Sequence, residues 1–281
     1  MTRASLRQCV LVAGTLCPIV ACVRQSPAPS PMTVSVLVYN MHAGKDARGG
    51  DNLERVAALV RQVGADVVLL QEVDRLTTRS GGVDQPAVLG RLTGYHVAFG
   101  RTLDYQGGGY GIAVLSRAPI VRDTLVRLPV DPPQERAGGA REPRGALIAT
   151  IDLPGAALRV VNTHLDASRE DRWRLQEIVT VLDIARGASS SDAWATLVGG
   201  DFNSTPESAT QSEVRRAGLR DAWDACGTGA GLTYPADSAV KRIDYLFLTG
   251  HAGCTEARVL ASDASDHRPL LVRVTLPARA R

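Results

Sequence analysis

Short apolar runs bounded by polar residues recur from Thr33 onward, and their spacing predicts the architecture. Val34 to Tyr39 reads as a buried strand, a continuous apolar stretch too short for a helix. Asn52 to Val63 has helical period: Leu53, Val56, Leu59, Val60 and Val63 share one face, Asp51 is available as a cap, and Gly64 stops the run. Val67 to Leu70, Ile112 to Leu115, Ala146 to Ile151 and Leu158 to Asn162 read as further strands. Trp173 to Ala185 is a second amphipathic helix, ended by Gly187, and strands follow at Thr196 to Val198, Ile243 to Leu248 and Leu270 to Leu276. Many strands and few helices, in no strict alternation, argue against a Rossmann fold or a TIM barrel and predict two β-sheets packed on each other with helices outside. Arg127 to Glu142, rich in Pro, Gly and charge, reads as a surface loop.

The first residues follow a different pattern. Arg3 and Arg7 precede an almost wholly apolar stretch from Val10 to Val23, the layout of a secretory signal and too short for a membrane span. Ile19-Val20-Ala21-Cys22 resembles the bacterial lipobox, and Gln25 to Pro31 is a Pro/Ser-rich stretch. The expected organisation is therefore residues 1–22 as a signal peptide with lipobox, 23–31 as a tether and 32–281 as one domain. Such a chain is extracytoplasmic and held to a membrane through lipid on Cys22. A plain signal peptide cut near Ala21 is the alternative. In an oxidising compartment Cys226 and Cys254 either form a disulfide or stay as buried thiols, and neither has zinc-site spacing. The composition, 44% hydrophobic and 22% charged, excludes a disordered chain, and a formal charge of +3 describes no nucleic-acid-binding patch by itself.

Candidate chemistry lies where the buried strands end. Asn40 follows Val36-Leu37-Val38-Tyr39, Glu72 follows Val67 to Gln71, His164 follows Val160 to Thr163, and Asp201 and Asn203 follow Leu197 to Gly200. Asp266 and His267 stand just before Pro269 to Val272. One polar residue at a strand end is usually only the first solvated position. Seven such residues at five places, all Asn, Asp, Glu or His, describe converging ligands, because binding sites form where strand ends meet.

The same segments carry a resemblance. Val38-Tyr39-Asn40, Leu70-Gln71-Glu72-Val73, Tyr110 to Arg117, Asn162-Thr163-His164-Leu165, Gly199-Gly200-Asp201-Phe202-Asn203, Arg242-Ile243-Asp244-Tyr245 and Ser265-Asp266-His267-Arg268-Pro269 occur in this order. The ordered set resembles the endonuclease/exonuclease/phosphatase superfamily, which includes pancreatic-type deoxyribonucleases, abasic-site endonucleases, bacterial sphingomyelinases and inositol polyphosphate 5-phosphatases. The resemblance implies a four-layer α/β sandwich, with two mostly antiparallel sheets packed face to face, and hydrolysis of a phosphate ester assisted by Mg²⁺ or Mn²⁺. It implies Glu72 as principal metal ligand with Asn40 and Asp266 near the ion, and Asp201 as the group that orients or deprotonates the attacking water. It places Asn203 on the phosphate, His267 beside the scissile phosphate with Asp244 fixing its tautomer, and His164 on a phosphate oxygen or in proton transfer. Tyr110 occupies the place of a phenol near the leaving group.

His42 stands where some relatives carry an acidic metal neighbour, so it either alters coordination or touches substrate. Arg144 could clamp a phosphate bidentately or serve as a surface charge. Arg79 to Gln85 is a Gly-rich loop after Glu72. Substrates consistent with this reading are a lipid head group, a small phosphodiester or nucleic acid, and no protein partner is implied. A non-catalytic binding module on the same fold and a nonspecific extracytoplasmic nuclease are the competing readings.

Overall fold

The computed structural model describes residues 31–187 and 195–276; the signal, the lipobox and nearly all of the tether lie outside the described residues. Twelve strands, numbered in chain order, form two sheets. The first contains β1 (Met32–Asn40), β2 (Val67–Arg75), β3 (His96–Tyr105), β4 (Gly108–Ser116), β11 (Gly253–Val259) and β12 (Leu270–Leu276), in the order β11-β12-β1-β2-β4-β3. The second contains β5 (Ile120–Arg127), β6 (Gly145–Leu153), β7 (Ala156–His164), β8 (Ala195–Asp201), β9 (Arg220–Asp221) and β10 (Asp244–Leu248), in the order β5-β6-β7-β8-β10-β9. Each sheet has one parallel pair, β1 with β2 and β7 with β8, among antiparallel neighbours.

Alternation of side chains across these strands builds four layers. Val36, Val38 and Leu69 of the first sheet meet Leu147, Val160, Leu197 and Leu246 of the second in one buried cluster. The intervening residues Leu37, Val68 and Leu70 face outward against α1 (Leu53–Val63) and Leu89 of α2 (Gln85–Thr93). On the opposite side Val161, Val198 and Phe247 pack on α3 (Arg172–Gly187) and α4 (Ala209–Arg216), chiefly through Ile178, Val181 and Val214. Central strands are thus covered on both faces, which is why they read as unbroken apolar runs. The predicted sandwich of two mostly antiparallel sheets is the observed fold.

One local expectation changes. Asp51 does not cap α1; it pairs with Lys45, and Asn52 stands at the N-cap without a side-chain cap bond. The Asn52 amide instead reaches the carbonyls of Met41 (2.9 Å), Lys45 (3.0 Å) and Ala264 (2.5 Å), tying the segment after Asn40 to the segment before His267. Gly64 ends α1 as expected, in the left-handed conformation at φ 64°. Cys226, at the end of α5 (Ala222–Cys226), is disulfide-bonded to Cys254 of β11. No helix among the described residues is long and apolar enough to cross a membrane.

Candidate active site

Strand register alone aligns half of the site. In the parallel pair β7/β8, His164 stands opposite Asp201, and in the antiparallel pair β8/β10, Asp201 stands opposite Asp244. Asn40 ends β1 opposite Gln71, one residue before Glu72. A register irregularity between Leu70 and Val73 accompanies φ 54° at Glu72, a conformation few non-glycine residues adopt, and it re-aims the carboxylate. Close approach of strands requires Gly200: with φ 141°, a Cβ there would lie 1.9 Å from the Thr163 carbonyl oxygen.

The apolar members of the motifs hold the polar ones. Phe202 packs edge-on against Tyr245 and Phe247, with ring centroids 5.6 and 5.1 Å away, and so locks the residues next to Asp201 and Asp244 together. Across the seam between sheets, Gln71 Nε2 donates to Asn162 Oδ1 at 2.7 Å, while Asn162 Nδ2 donates to the carbonyls of Leu70 (2.8 Å) and Ala113 (2.9 Å). Both side chains are fully buried, so these hydrogen bonds fix the two halves of the site relative to each other.

His267 Nδ1 donates to Asp244 Oδ2 at 2.9 Å and its Nε2 lies 3.7 Å from Asp201 Oδ2. Burial lowers the His267 pKa, but the Asp244 charge and hydrogen bond, followed by Asp201, outweigh it and push it up to about 10, so the ring is an imidazolium at neutral pH. Asp201 is driven above the usual carboxylate range, first by burial and then by the Asp244 charge. Its oxygens are oriented by the Asn203 amide N–H (2.8 Å) and by Asn40 Nδ2 (3.1 Å).

Asn40 Nδ2 also donates to Glu72 Oε1 at 3.1 Å, and Asn40 Oδ1 accepts from the His42 amide at 3.0 Å. Asn40 thus bridges the carboxylates of Glu72 and Asp201 through its N–H₂. His164 is neutral: burial and then the Arg144 charge hold its pKa well below the usual value. Arg144, always a donor, sits 2.8 Å from His164 Nδ1 and leaves the ring proton on Nε2. His164 Nε2 lies 3.0 Å from Asn203 Nδ2 and 3.5 Å from Asp201 Oδ2, while Asn203 Nδ2 donates to the Leu165 carbonyl at 3.0 Å, so both nitrogens sit beside Asp201. Arg144 is itself buried and paired with Glu142 at 2.6 Å, which makes it part of the site wall and no surface charge.

These residues line two adjoining cavities. The larger, about 630 Å³, is lined by Glu72, His164, Asp201, Asn203, Asp266 and His267, with Arg144 in its wall. The smaller, about 500 Å³, shares Glu72 and Asp266 and is lined by His42 and by Tyr110, which lies on that side only. Burial raises the Tyr110 phenol well above its ordinary pKa, and Arg79, held by Asp74, stacks over its ring. Gly138, within the predicted surface loop, borders both cavities. Tyr234, 4.8 Å from the His267 ring, and Lys241 also line the larger cavity, and no sequence motif announced them. A Tyr-Pro step and a solitary lysine before Arg242 were the available signals.

Asp201, Asp244 and His267 form a group able to hold a metal, their ligand atoms lying within 4.8 Å of one another. Nδ1 of His267 is bonded to Asp244, so Nε2 is the ring nitrogen that faces this group, the arrangement usual for a metal-ligating histidine. Hard oxygen donors at the cavity floor also fit a divalent cation: among the described residues no Lys or Arg pairs with Glu72, Asp201 or Asp266.

Behind the site, the Asp166 amide donates to Glu177 Oε2 at 2.7 Å, and Arg174 holds the Asp166 and Ser168 carbonyls at 2.9 and 2.6 Å. Burial pushes Glu177 up to about 8 from 4.5. The folded chain keeps a proton that the unfolded chain releases, so this group's stabilising contribution is complete below 4.5 and is lost as pH rises through about 8. Between pH 5 and pH 8 the wild type should lose up to about 1.4 kcal/mol of stability per pH unit relative to Glu177→Gln. Urea unfolding of both proteins at the two pH values checks this, and parallel stability curves would refute it.

The profile of the endonuclease/exonuclease/phosphatase family matches residues 37–267. Protein YbhP of Escherichia coli K12 is 30% identical over 258 residues, covering 86% of this chain and 96% of YbhP. An endonuclease/exonuclease/phosphatase from Beutenbergia cavernae superposes with a TM-score of 0.73 at 26% identity, over 87% of this chain and 72% of that one. The mannosyl-6-phosphatase Bt3783 of Bacteroides thetaiotaomicron shares the fold at 19% identity, TM-score 0.71, over 86% of this chain and 99% of that one. The chain belongs to the endonuclease/exonuclease/phosphatase family.

Proposed function

We propose that the protein hydrolyses a phosphodiester with the help of Mg²⁺ or Mn²⁺ held by Glu72 and Asp266. One observation carries this reading: the His267–Asp244 pair faces Asp201 in a cavity whose carboxylates Glu72, Asp201 and Asp266 have no Lys or Arg partner among the described residues. When bound, the ion supplies positive charge to the phosphate and its developing alkoxide. The chain's own groups do the rest. Asp201, oriented by Asn40 and Asn203, takes the proton of the attacking water. The His267 imidazolium offsets charge on the phosphate, and Asp244 keeps it protonated. His164 Nε2–H and Asn203 Nδ2–H, 3.0 Å apart beside Asp201, hold a phosphate oxygen, and Arg144 fixes the tautomer that makes His164 a donor. A diester suits the two cavities flanking Glu72 and Asp266, one for each substituent. The Cys226–Cys254 disulfide supports an extracytoplasmic location for this activity.

Release of p-nitrophenol from bis(p-nitrophenyl) phosphate in Mg²⁺ or Mn²⁺, abolished by EDTA, is the expected result. Turnover of p-nitrophenyl phosphate alone would assign a monoesterase instead, and absence of both turnover and metal binding would favour a binding module. In the same assay Glu72→Gln should raise the metal concentration for half-maximal rate by roughly tenfold or more. An unchanged metal titration would remove Glu72 from the ion.

A further inference from the structure

Charge is unevenly matched across the two cavities. In the smaller one each Lys or Arg has an acidic partner: Lys45 pairs with Asp51 at 2.5 Å and Arg79 with Asp74 at 2.7 Å. In the larger one Arg144 pairs with Glu142 at 2.6 Å and Arg174 with Asp171 at 2.8 Å. Arg169 and Lys241 also line the larger cavity, and neither has a carboxylate partner among the described residues. Both residues are exposed to solvent.

Neither cation hangs on a loose segment. Lys241 and Tyr234 form an isolated antiparallel bridge, with Tyr234 N donating to the Lys241 carbonyl at 3.0 Å and Lys241 N to the Tyr234 carbonyl at 2.9 Å. Lys241 Nζ lies 6.0 Å over the Tyr234 ring, and that ring is 4.8 Å from His267. The ammonium is thereby held one aromatic ring away from the imidazolium. Arg169 follows Ser168, whose carbonyl is held by buried Arg174 at 2.6 Å.

We propose that the larger cavity binds a second anionic group of the substrate, in addition to the scissile phosphate, between Arg169 and Lys241. The inference rests on the phosphoesterase reading above and narrows its substrate class to phosphate esters that carry another phosphate on the substituent in this cavity, leaving the uncharged substituent to the smaller one. Cations without protein partners on a concave wall attract an anion from solution and lose affinity for it as salt rises. The second phosphate comes either from the next link of a nucleic-acid strand or from a small bisphosphorylated molecule.

Equilibrium binding separates these sources without relying on turnover. Calorimetric titrations in Ca²⁺ would compare thymidine 3′,5′-bisphosphate with thymidine 5′-monophosphate, and fructose 1,6-bisphosphate with fructose 6-phosphate. In at least one pair the bisphosphate should bind about fivefold more tightly or better, by the strength of one partly screened charge contact. The gain should collapse towards unity in Arg169→Ala/Lys241→Ala, shrink in high salt, and return in part with Arg169→Lys/Lys241→Arg. A gain confined to the nucleotide pair identifies a strand, and a gain in both identifies small bisphosphates. Equal affinities within each pair, absence of binding, or a gain that survives the double alanine variant would overturn the proposal. Hydrolysis is not read in this experiment, so a failed diester assay would count against the proposed reaction and leave the binding comparison decisive for the second anion.

Discussion

Replacing Asp201 by asparagine is expected to lower kcat on bis(p-nitrophenyl) phosphate by about 10³-fold, with a smaller change in KM. Asparagine preserves the size of the group and can still accept from the Asn203 amide, but it cannot take a proton from water. The carboxylate is suited to that task because burial and the Asp244 charge raise its pKa, making it a stronger base than a solvated aspartate. Stopped-flow or steady-state assays at saturating metal measure the effect. If the variant kept more than about a tenth of the wild-type kcat, proton transfer to Asp201 would not be part of the chemical step.

The second large effect concerns the imidazolium. His267→Gln can still donate to Asp244, yet it carries no charge, and a loss of roughly 10²–10³ in kcat is expected from removing a preorganised positive group beside the phosphate. Asp244→Asn should cost a similar amount, because His267 then loses the carboxylate 2.9 Å away that keeps it protonated. Since the two act as one unit, the double variant should be little worse than the poorer single variant. Multiplying losses in that cycle would show that they act independently and would dissolve the pair as a catalytic device.

Much of this arrangement is legible in the residue pattern, for physical reasons that can be named. Strands β1, β2, β7, β8 and β12 are buried along their central stretches, so Val36 to Val38 or Val160 to Val161 declare themselves by apolarity alone. The polar residues that interrupt those runs at their ends are the ones the fold gathers. Strands β3 and β5 lie at sheet edges, where Arg122, Asp123 and Thr124 are exposed and dilute the signal. Helix α2 hid behind Gly81 and Gly82, although Asp84 caps it by accepting from the Ala87 amide and Pro86 occupies its first turn. Pairings such as Arg144 with His164 join residues from different strand ends, and Tyr234 with His267 joins two loops. No short spacing encodes them: the first needs the pairing of β6 with β7 within the second sheet, and the second needs both sheets docked.

The place of β12 has a consequence for timing. It lies between β11 and β1 in the first sheet, so one flank of β1 stays without its neighbour until the last described strand has left the ribosome and, if the chain is exported, crossed the membrane. Asp266 and His267 arrive on the same late segment. Everything translated earlier, including Asp201 and Glu72, waits on it. A nascent chain therefore cannot gather Asp201, Asp244 and His267 into one group until β12 can pair with β1.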